Sequence, residues 1–160
     1  MANIFSPQEI LRIAVKVEER GKRLYENLEK KATDRKVKEL WAYLKEEEEV
    51  HRKIFQDMLN KVGDYIVAES NAGEYGAYIR AIASSYIFTQ ELIEEKLKSN
   101  FTSGLEAVDF GMHIEKESIL TYSALREYIT IDKQPTLDKV IAEEKEHLIK
   151  LIVLRGEIKK

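Results

Sequence analysis

The sequence predicts an all-α protein, an antiparallel four-helix bundle with a long crossover between its second and third helices. Three observations carry that reading. Only seven glycines and two prolines punctuate 160 residues rich in lysine, glutamate and leucine, a composition that favours helix. Four stretches repeat small or apolar residues at alternating three- and four-residue intervals, the seam of a helix packed into a bundle. A run of about 40 residues with no such seam separates the second stretch from the third, enough partly helical chain to run the length of a bundle.

The first helix is expected over about 7–32. Ser6-Pro7-Gln8-Glu9 is a helix start, with Ser6 as cap, Pro7 at the first helical position and Glu9 closing a capping box. Its seam is Leu11, Ala14, Glu18, Gly21, Tyr25 and Leu28. The second helix begins near Thr33-Asp34 and ends before Gly63, with the seam Val37, Trp41, Leu44, Glu48, His51, Phe55 and Met58. Residues 63–73 contain Gly63, Asp64, Ser70, Asn71 and Gly73 and are expected to form a loop. Residues 74–99 are weakly helical, read as two pieces around Phe88-Thr89; the whole crossover is about 63–103. Ser103-Gly104-Leu105-Glu106 is a second capping box. It opens a third helix over about 104–129 with the seam Val108, Gly111, Glu115, Ser118, Tyr122, Leu125 and Ile129. After a turn at Thr130–Pro135, the fourth helix runs over about 136–155 and is expected to stop at Gly156. Its seam is Leu137, Val140, Glu144, His147, Leu151 and Leu154.

Six acidic or imidazole side chains interrupt these seams: Glu18, Glu48, His51, Glu115, Glu144 and His147. They are arranged as a repeat. Glu48-x-x-His51 recurs as Glu144-x-x-His147, and Glu18 with Tyr25 seven residues later recurs as Glu115 with Tyr122. Residues three apart on a helix share a face, so each Glu-x-x-His pair presents a carboxylate and an imidazole together. Two such pairs, with one inward Glu from each of two further helices, form the ligand set of a carboxylate-bridged dimetal site in a four-helix bundle. Four buried carboxylates without a counterion would repel one another and take up protons. Two divalent cations would neutralise them, with one imidazole nitrogen for each ion. By symmetry Glu48 and Glu144 are the expected bridges, Glu18 and Glu115 the terminal carboxylates, and His51 and His147 one ligand each, with the ions about 3.5–4 Å apart. Oxygen and imidazole donors suit iron or manganese, and zinc also fits. Gly21 and Ser118, one turn from the terminal glutamates, are small enough to leave a coordination position open. Tyr25 and Tyr122 are placed to hydrogen-bond the carboxylates or to donate a proton. Glu46, Glu47 and Glu49 read as a charged outer face that at most backs the ligands from outside, Trp41, Phe55 and Met58 as core packing, and His113 as a surface or partner-facing residue.

Composition narrows the chemistry. With no cysteine, the chain can form no disulfide, thiolate zinc site or iron–sulfur cluster. The formal net charge of -3 and the interleaved lysines and glutamates do not suit nucleic-acid binding. No apolar run approaches the ~20 residues of a membrane span. Residues 1–7 lack the character of a signal peptide. A single cytoplasmic domain over 1–160 is the expectation.

The segments Ala14-x-x-x-Glu18-x-x-Gly21-x-x-Leu24-Tyr25, Glu48-x-x-His51, Glu115-Lys116-x-Ser118-Ile119-x-x-Tyr122 and Glu144-x-x-His147 resemble the rubrerythrin-like branch of the ferritin-like superfamily, over nearly the whole chain. The resemblance implies a ferritin-like bundle holding two iron ions, with those six residues as ligands. It implies an oxidoreductase that reduces hydrogen peroxide or O2, or that oxidises ferrous iron, within the response to oxidative stress, and it implies a homodimer. Two departures stand out. Such proteins often carry a rubredoxin domain with Cys-bound iron; this chain has no cysteine, so a separate electron donor is implied. The family also places a further Glu one turn after the third-helix ligand, where this chain has Ser118; there the peroxidase activity is not simply carried over. Ferrous oxidation without a storage cage, a metal-stabilised bundle without enzymatic activity, and a dimanganese catalase are the alternative readings.

Overall fold

The structure, a computed structural model, describes residues 7–61 and 74–158. Among them the chain forms five helices: α1 (Pro7–Lys31), α2 (Arg35–Lys61), α3 (Glu74–Ser99), α4 (Gly104–Leu125) and α5 (Gln134–Ile158). No helix among the described residues is long and apolar enough to cross a membrane. Ser6 and the 63–73 loop lie outside the described residues.

Helices α1, α2, α4 and α5 are the expected bundle, built from the hairpins α1–α2 and α4–α5. Asp34 Oδ1 accepts from the Val37 amide at 2.9 Å and starts α2. At α4, Ser103 Oγ accepts from the Glu106 amide at 3.1 Å. The Glu106 carboxylate reaches back one residue further than a simple capping box, to the Thr102 amide at 2.6 Å.

The seams converge on a core divided in two. One apolar cluster includes Leu11, Ala14, Val17, Phe55, Met58, Tyr122, Leu125, Leu137 and Val140. The other includes Leu24, Tyr25, Leu28, Trp41, Leu44, Val108, Ile114, Leu151 and Leu154. The first gathers the start of α1, the end of α2, the end of α4 and the start of α5. Consequently α1 runs against both α2 and α4, while α2 and α4 are parallel. The crossover makes that possible: Ile82 packs on the first cluster and Ile93 belongs to the second, so α3 carries the chain back along the bundle.

Three helix boundaries differ from the sequence expectation. First, α3 is one helix, not two pieces around Phe88-Thr89. Aromatic and β-branched residues cost a helix only tenths of a kcal/mol, and contacts to the neighbouring helices outweigh that. Arg20 donates to Gln90, Arg23 pairs with Glu94 at 2.8 Å, and Ser85 donates to Glu117 at 3.0 Å. The helix ends at Asn100, whose left-handed φ of 66° gives the reversal usually supplied by glycine. Second, α4 ends at Leu125 rather than 129, because Glu127 and Tyr128 amides turn to the carbonyls three residues back, Ala124 and Leu125. Third, α5 begins at Gln134 and passes through Gly156 to Ile158. Glycine permits a helix end without enforcing one, and Lys36 holds the last turn to α2 through Glu157 at 2.7 Å.

Since Gly156 sits inside a helix with open space around it, Gly156→Ala should stabilise the fold by about 0.5–1 kcal/mol through backbone entropy and helix propensity. Thermal or urea unfolding of the two proteins measures this directly, and a loss of stability would contradict the continuous last turn.

Candidate metal centre

Between the two apolar clusters lies a layer of ionisable groups. Glu18 on α1, Glu48 and His51 on α2, Glu115 on α4, and Glu144 and His147 on α5 are each no more than 3% exposed. All six sequence-predicted residues therefore meet in one place. His51 Nδ1 lies 2.9 Å from Glu144 Oε1 and 3.8 Å from Glu18 Oε2. His147 Nδ1 lies 3.4 Å from Glu144 Oε2 and 3.6 Å from Glu115 Oε2. Glu144 thus touches both imidazoles, while Glu18 faces one and Glu115 the other. The two rings stand nearly parallel with centroids 5.6 Å apart. Glu18, His51 and Glu144 offer donor atoms within 4.8 Å of one another, and so do Glu48, Glu115, Glu144 and His147.

The donor set fits metal ions better than it fits a closed hydrogen-bond network. Glu18 Oε2, Glu115 Oε2, both Glu144 oxygens and the Nδ1 atoms of both histidines are buried without a hydrogen-bond partner. Buried polar atoms are nearly always satisfied, so this concentration in one layer marks a place for a cation.

Without a cation, protons do the neutralising. Burial, then the negative charge of Glu144, pushes Glu18 up to about 7. Burial and Glu144 likewise push Glu115 up to about 8. Burial and the Glu18 charge raise Glu48 well above the usual carboxylate range. Burial also works against the Glu144 charge, yet the neighbouring Glu115, His147 and His51 together outweigh it and hold that carboxyl well below the usual range. The imidazoles resist burial through their carboxylate neighbours. Glu144 and Glu18 raise His51 to about 9, and Glu115 and Glu144 raise His147 to about 10.

The tyrosines cross between hairpins. Tyr25 on α1 donates to Glu115 Oε1 on α4 at 2.5 Å. Tyr122 on α4 donates to Glu18 Oε1 on α1. Both are fully buried. Burial, then Glu115, holds the Tyr25 phenol well above its ordinary range, so it remains a donor.

One expectation needs correction. The space beside Gly21 is not open: a Cβ built there would meet Glu48 Oε2 at 2.6 Å. Gly21 makes room for the Glu48 carboxylate. The outer face backs the two imidazoles. Glu47 lies 3.7 Å from His147 Nε2, and Glu143, which sequence reasoning passed over, lies 3.0 Å from His51 Nε2. The signal was present, because the repeat extends to Glu47-Glu48-x-x-His51 and Glu143-Glu144-x-x-His147. His113 is exposed, as expected.

Helix order, crossover and buried carboxylate–histidine layer define a ferritin-like bundle with a candidate dimetal centre. Comparison with known proteins agrees and narrows the class. The rubrerythrin family profile matches residues 9–153, and the chain belongs to the rubrerythrin family. A Thermotoga maritima protein assigned as a ferritin-like diiron-carboxylate protein superimposes with a TM-score of 0.71, at 25% identity and over 96% of each chain. No curated protein matches the sequence.

Two outcomes follow from the site. Gly21→Ala should leave the bundle folded, because the displaced atom is the end of a flexible side chain. It should still weaken divalent-metal binding by about tenfold or more, the usual scale when a ligand loses its support; a cobalt titration beside a thermal melt measures both. The second outcome is a pH dependence. The metal-free site binds more protons folded than unfolded between about pH 5 and 10. Stability of the metal-free protein should therefore fall as pH rises, through about 7 and 8 for Glu18 and Glu115 and about 9 and 10 for His51 and His147. Metal binding must expel those protons, so metal affinity should climb over the same range. Thermal melts at several pH values should show the metal-free protein losing stability as pH rises and the metal-loaded protein changing little above about pH 7, where the loaded and unfolded chains both hold these groups unprotonated.

Proposed function

We propose that this chain is a di-iron carboxylate oxidoreductase that reduces hydrogen peroxide or O2 with electrons from a separate donor. The observation that carries the reading is the buried layer of six donors, arranged as two nearly equivalent half-sites. Glu18 and His51 would hold one ion, and Glu115 and His147 the other, with Glu144 and Glu48 shared between them. Four carboxylates and two imidazoles suit a pair of ferrous ions, and manganese or zinc satisfy the same donors less distinctively. Bound iron supplies two electrons from adjacent centres, so an O–O bond can be reduced without releasing a radical.

The surrounding residues have defined tasks. Tyr25 and Tyr122 hold the terminal carboxylates Glu115 and Glu18 in orientation by hydrogen bonds. Their phenols are the protonated groups nearest those carboxylates, suited to deliver protons during reduction. Each peroxide consumes two electrons and two protons and leaves as two waters. Phe55 with Tyr122 on one side, and Trp41 with Tyr25 on the other, close the layer with aromatic rings and limit water access from the bundle ends. Restoring the reduced state requires an external donor, because the chain has no cysteine for an iron–thiolate centre. Ferrous oxidation is the second reading. It is favoured by Ser118, which is buried beside the layer and brings no further carboxylate.

Purified protein should contain about two iron ions per chain, and Glu144→Ala should lose most of them, since Glu144 touches both histidines. Anaerobic mixing of reduced, iron-loaded protein with hydrogen peroxide should oxidise two irons per peroxide. Tyr25→Phe should slow that step by about 100-fold or more with iron content unchanged. Failure of peroxide to oxidise the loaded protein would remove the oxidoreductase reading, and vigorous oxygen evolution with manganese bound would replace it with a catalase.

A further inference from the structure

Glu47 and Glu143 occupy equivalent places in the internal repeat, and each faces an imidazole from the opposite hairpin. Their side chains are 26% exposed, while the histidines they face are fully buried. One oxygen of each glutamate and one His51 ring nitrogen fall within 4.8 Å of one another. A further buried atom points to the same place: His147 Nε2, 3.7 Å from Glu47, has no hydrogen-bond partner. Two half-exposed carboxylates and two inward imidazole nitrogens thus form a second group of metal donors on the α2–α5 side of the centre.

We propose that Glu47 and Glu143 form an outer, transient cation site that takes divalent metal from solvent and passes it inward between α2 and α5. This rests on the reading of the inner layer as a dimetal centre. Carboxylate oxygens with imidazole nitrogen suit ferrous iron and its neighbours in the first transition series. Half-exposure lets an arriving ion keep part of its water while it exchanges the rest for carboxylate oxygen. Approach along the bundle axis is far less favourable, because an ion would have to cross the apolar clusters around Phe55 and Leu137 or around Trp41 and Leu151. At the lateral face Lys139, 3.6 Å from Glu143 and 74% exposed, can swing into water. Tyr43 lies edge-on to His147 with Lys150 over its ring, and together they border the same face.

The outer site has a second state. Once Nδ1 of each histidine binds an inner ion, Nε2 carries the proton and donates outward, His51 to Glu143 and His147 to Glu47. The same carboxylates then lock the rings. With both carboxylates turned to the ring N–H groups, the outer site empties as the inner one fills.

Loading kinetics separate delivery from ring-locking. Metal-free wild type, Glu47→Gln, Glu143→Gln and the double variant are mixed with Co2+, and visible absorption reports uptake. Glutamine keeps the size and the carbonyl acceptor for Nε2–H but removes the negative charge. The double variant should load at least about tenfold more slowly, the scale on which a focused charge raises an on-rate. Its final cobalt content, equilibrium affinity and melting temperature should match wild type. Loading at the wild-type rate overturns the outer site. So does a loss of equilibrium affinity that accounts for the slower rate, because the glutamates would then act only on ring orientation. A wild-type chain that takes up no cobalt overturns the dimetal reading beneath both, which the first two outcomes leave standing.

Discussion

Four carboxylates and two imidazoles held in the middle of an apolar bundle dominate the energetics of this protein. Removing an ion from water costs several kcal/mol even after relaxation, and here six ionisable groups share one layer. The structure compensates at every level. Apolar clusters on both sides supply the burial that keeps the layer closed. Two buried tyrosines each satisfy one carboxylate oxygen. The remaining unsatisfied oxygens and nitrogens converge on positions that a cation would fill, and without one the histidines and three of the glutamates retain protons far outside their ordinary ranges. The site is therefore balanced between two states, one compensated by protons and one by metal.

Twofold repetition organises that balance. Glu48 and Glu144, His51 and His147, Tyr25 and Tyr122, Glu47 and Glu143 occupy matched positions, so each half of the layer is assembled partly by the other hairpin. Tyr25 reaches Glu115 and Tyr122 reaches Glu18 across the bundle. The repeat requires α2 and α4 to run parallel, and only a long connection allows it; α3 provides one. The halves are not identical where packing is concerned. Tyr25 stacks on Trp41 with centroids 5.7 Å apart, whereas Tyr122 packs on Phe55 at 4.6 Å and 46°. Leu137 and Leu151 stand at the positions that match Trp41 and Phe55 in the repeat. Each tyrosine has an aromatic neighbour, but from opposite ends of α2.

Membership of the rubrerythrin family and the likeness to the Thermotoga maritima protein place this arrangement among ferritin-like di-iron carboxylate folds. Small residues lie beside the buried carboxylates. Gly21 clears space for the Glu48 carboxylate, and Ser118 takes the matching position on α4. The absence of cysteine removes any iron–thiolate relay within these 160 residues, so the proposed reduction would draw its electrons from a separate donor.

The bundle and its six buried donors were legible in the sequence because both depend on helical periodicity. A carboxylate that interrupts an unbroken apolar seam declares that it is buried, and a repeat of that interruption declares its partners. Gly21, Asn100, Phe88-Thr89 and Gly156 show where this stops. Space beside a glycine, a left-handed turn at an asparagine, and the persistence of a helix through poor formers depend on what packs against them. Glu47 and Glu143 mark the same boundary. Each is one residue from a candidate ligand, and its contact was not legible in the sequence, since the partner that gives it a role is an imidazole on another helix. Sequence alone determined which groups had to be buried together, through the period of the helix. Tertiary structure decided which oxygen meets which nitrogen, because those distances come from the approach of helices remote along the chain.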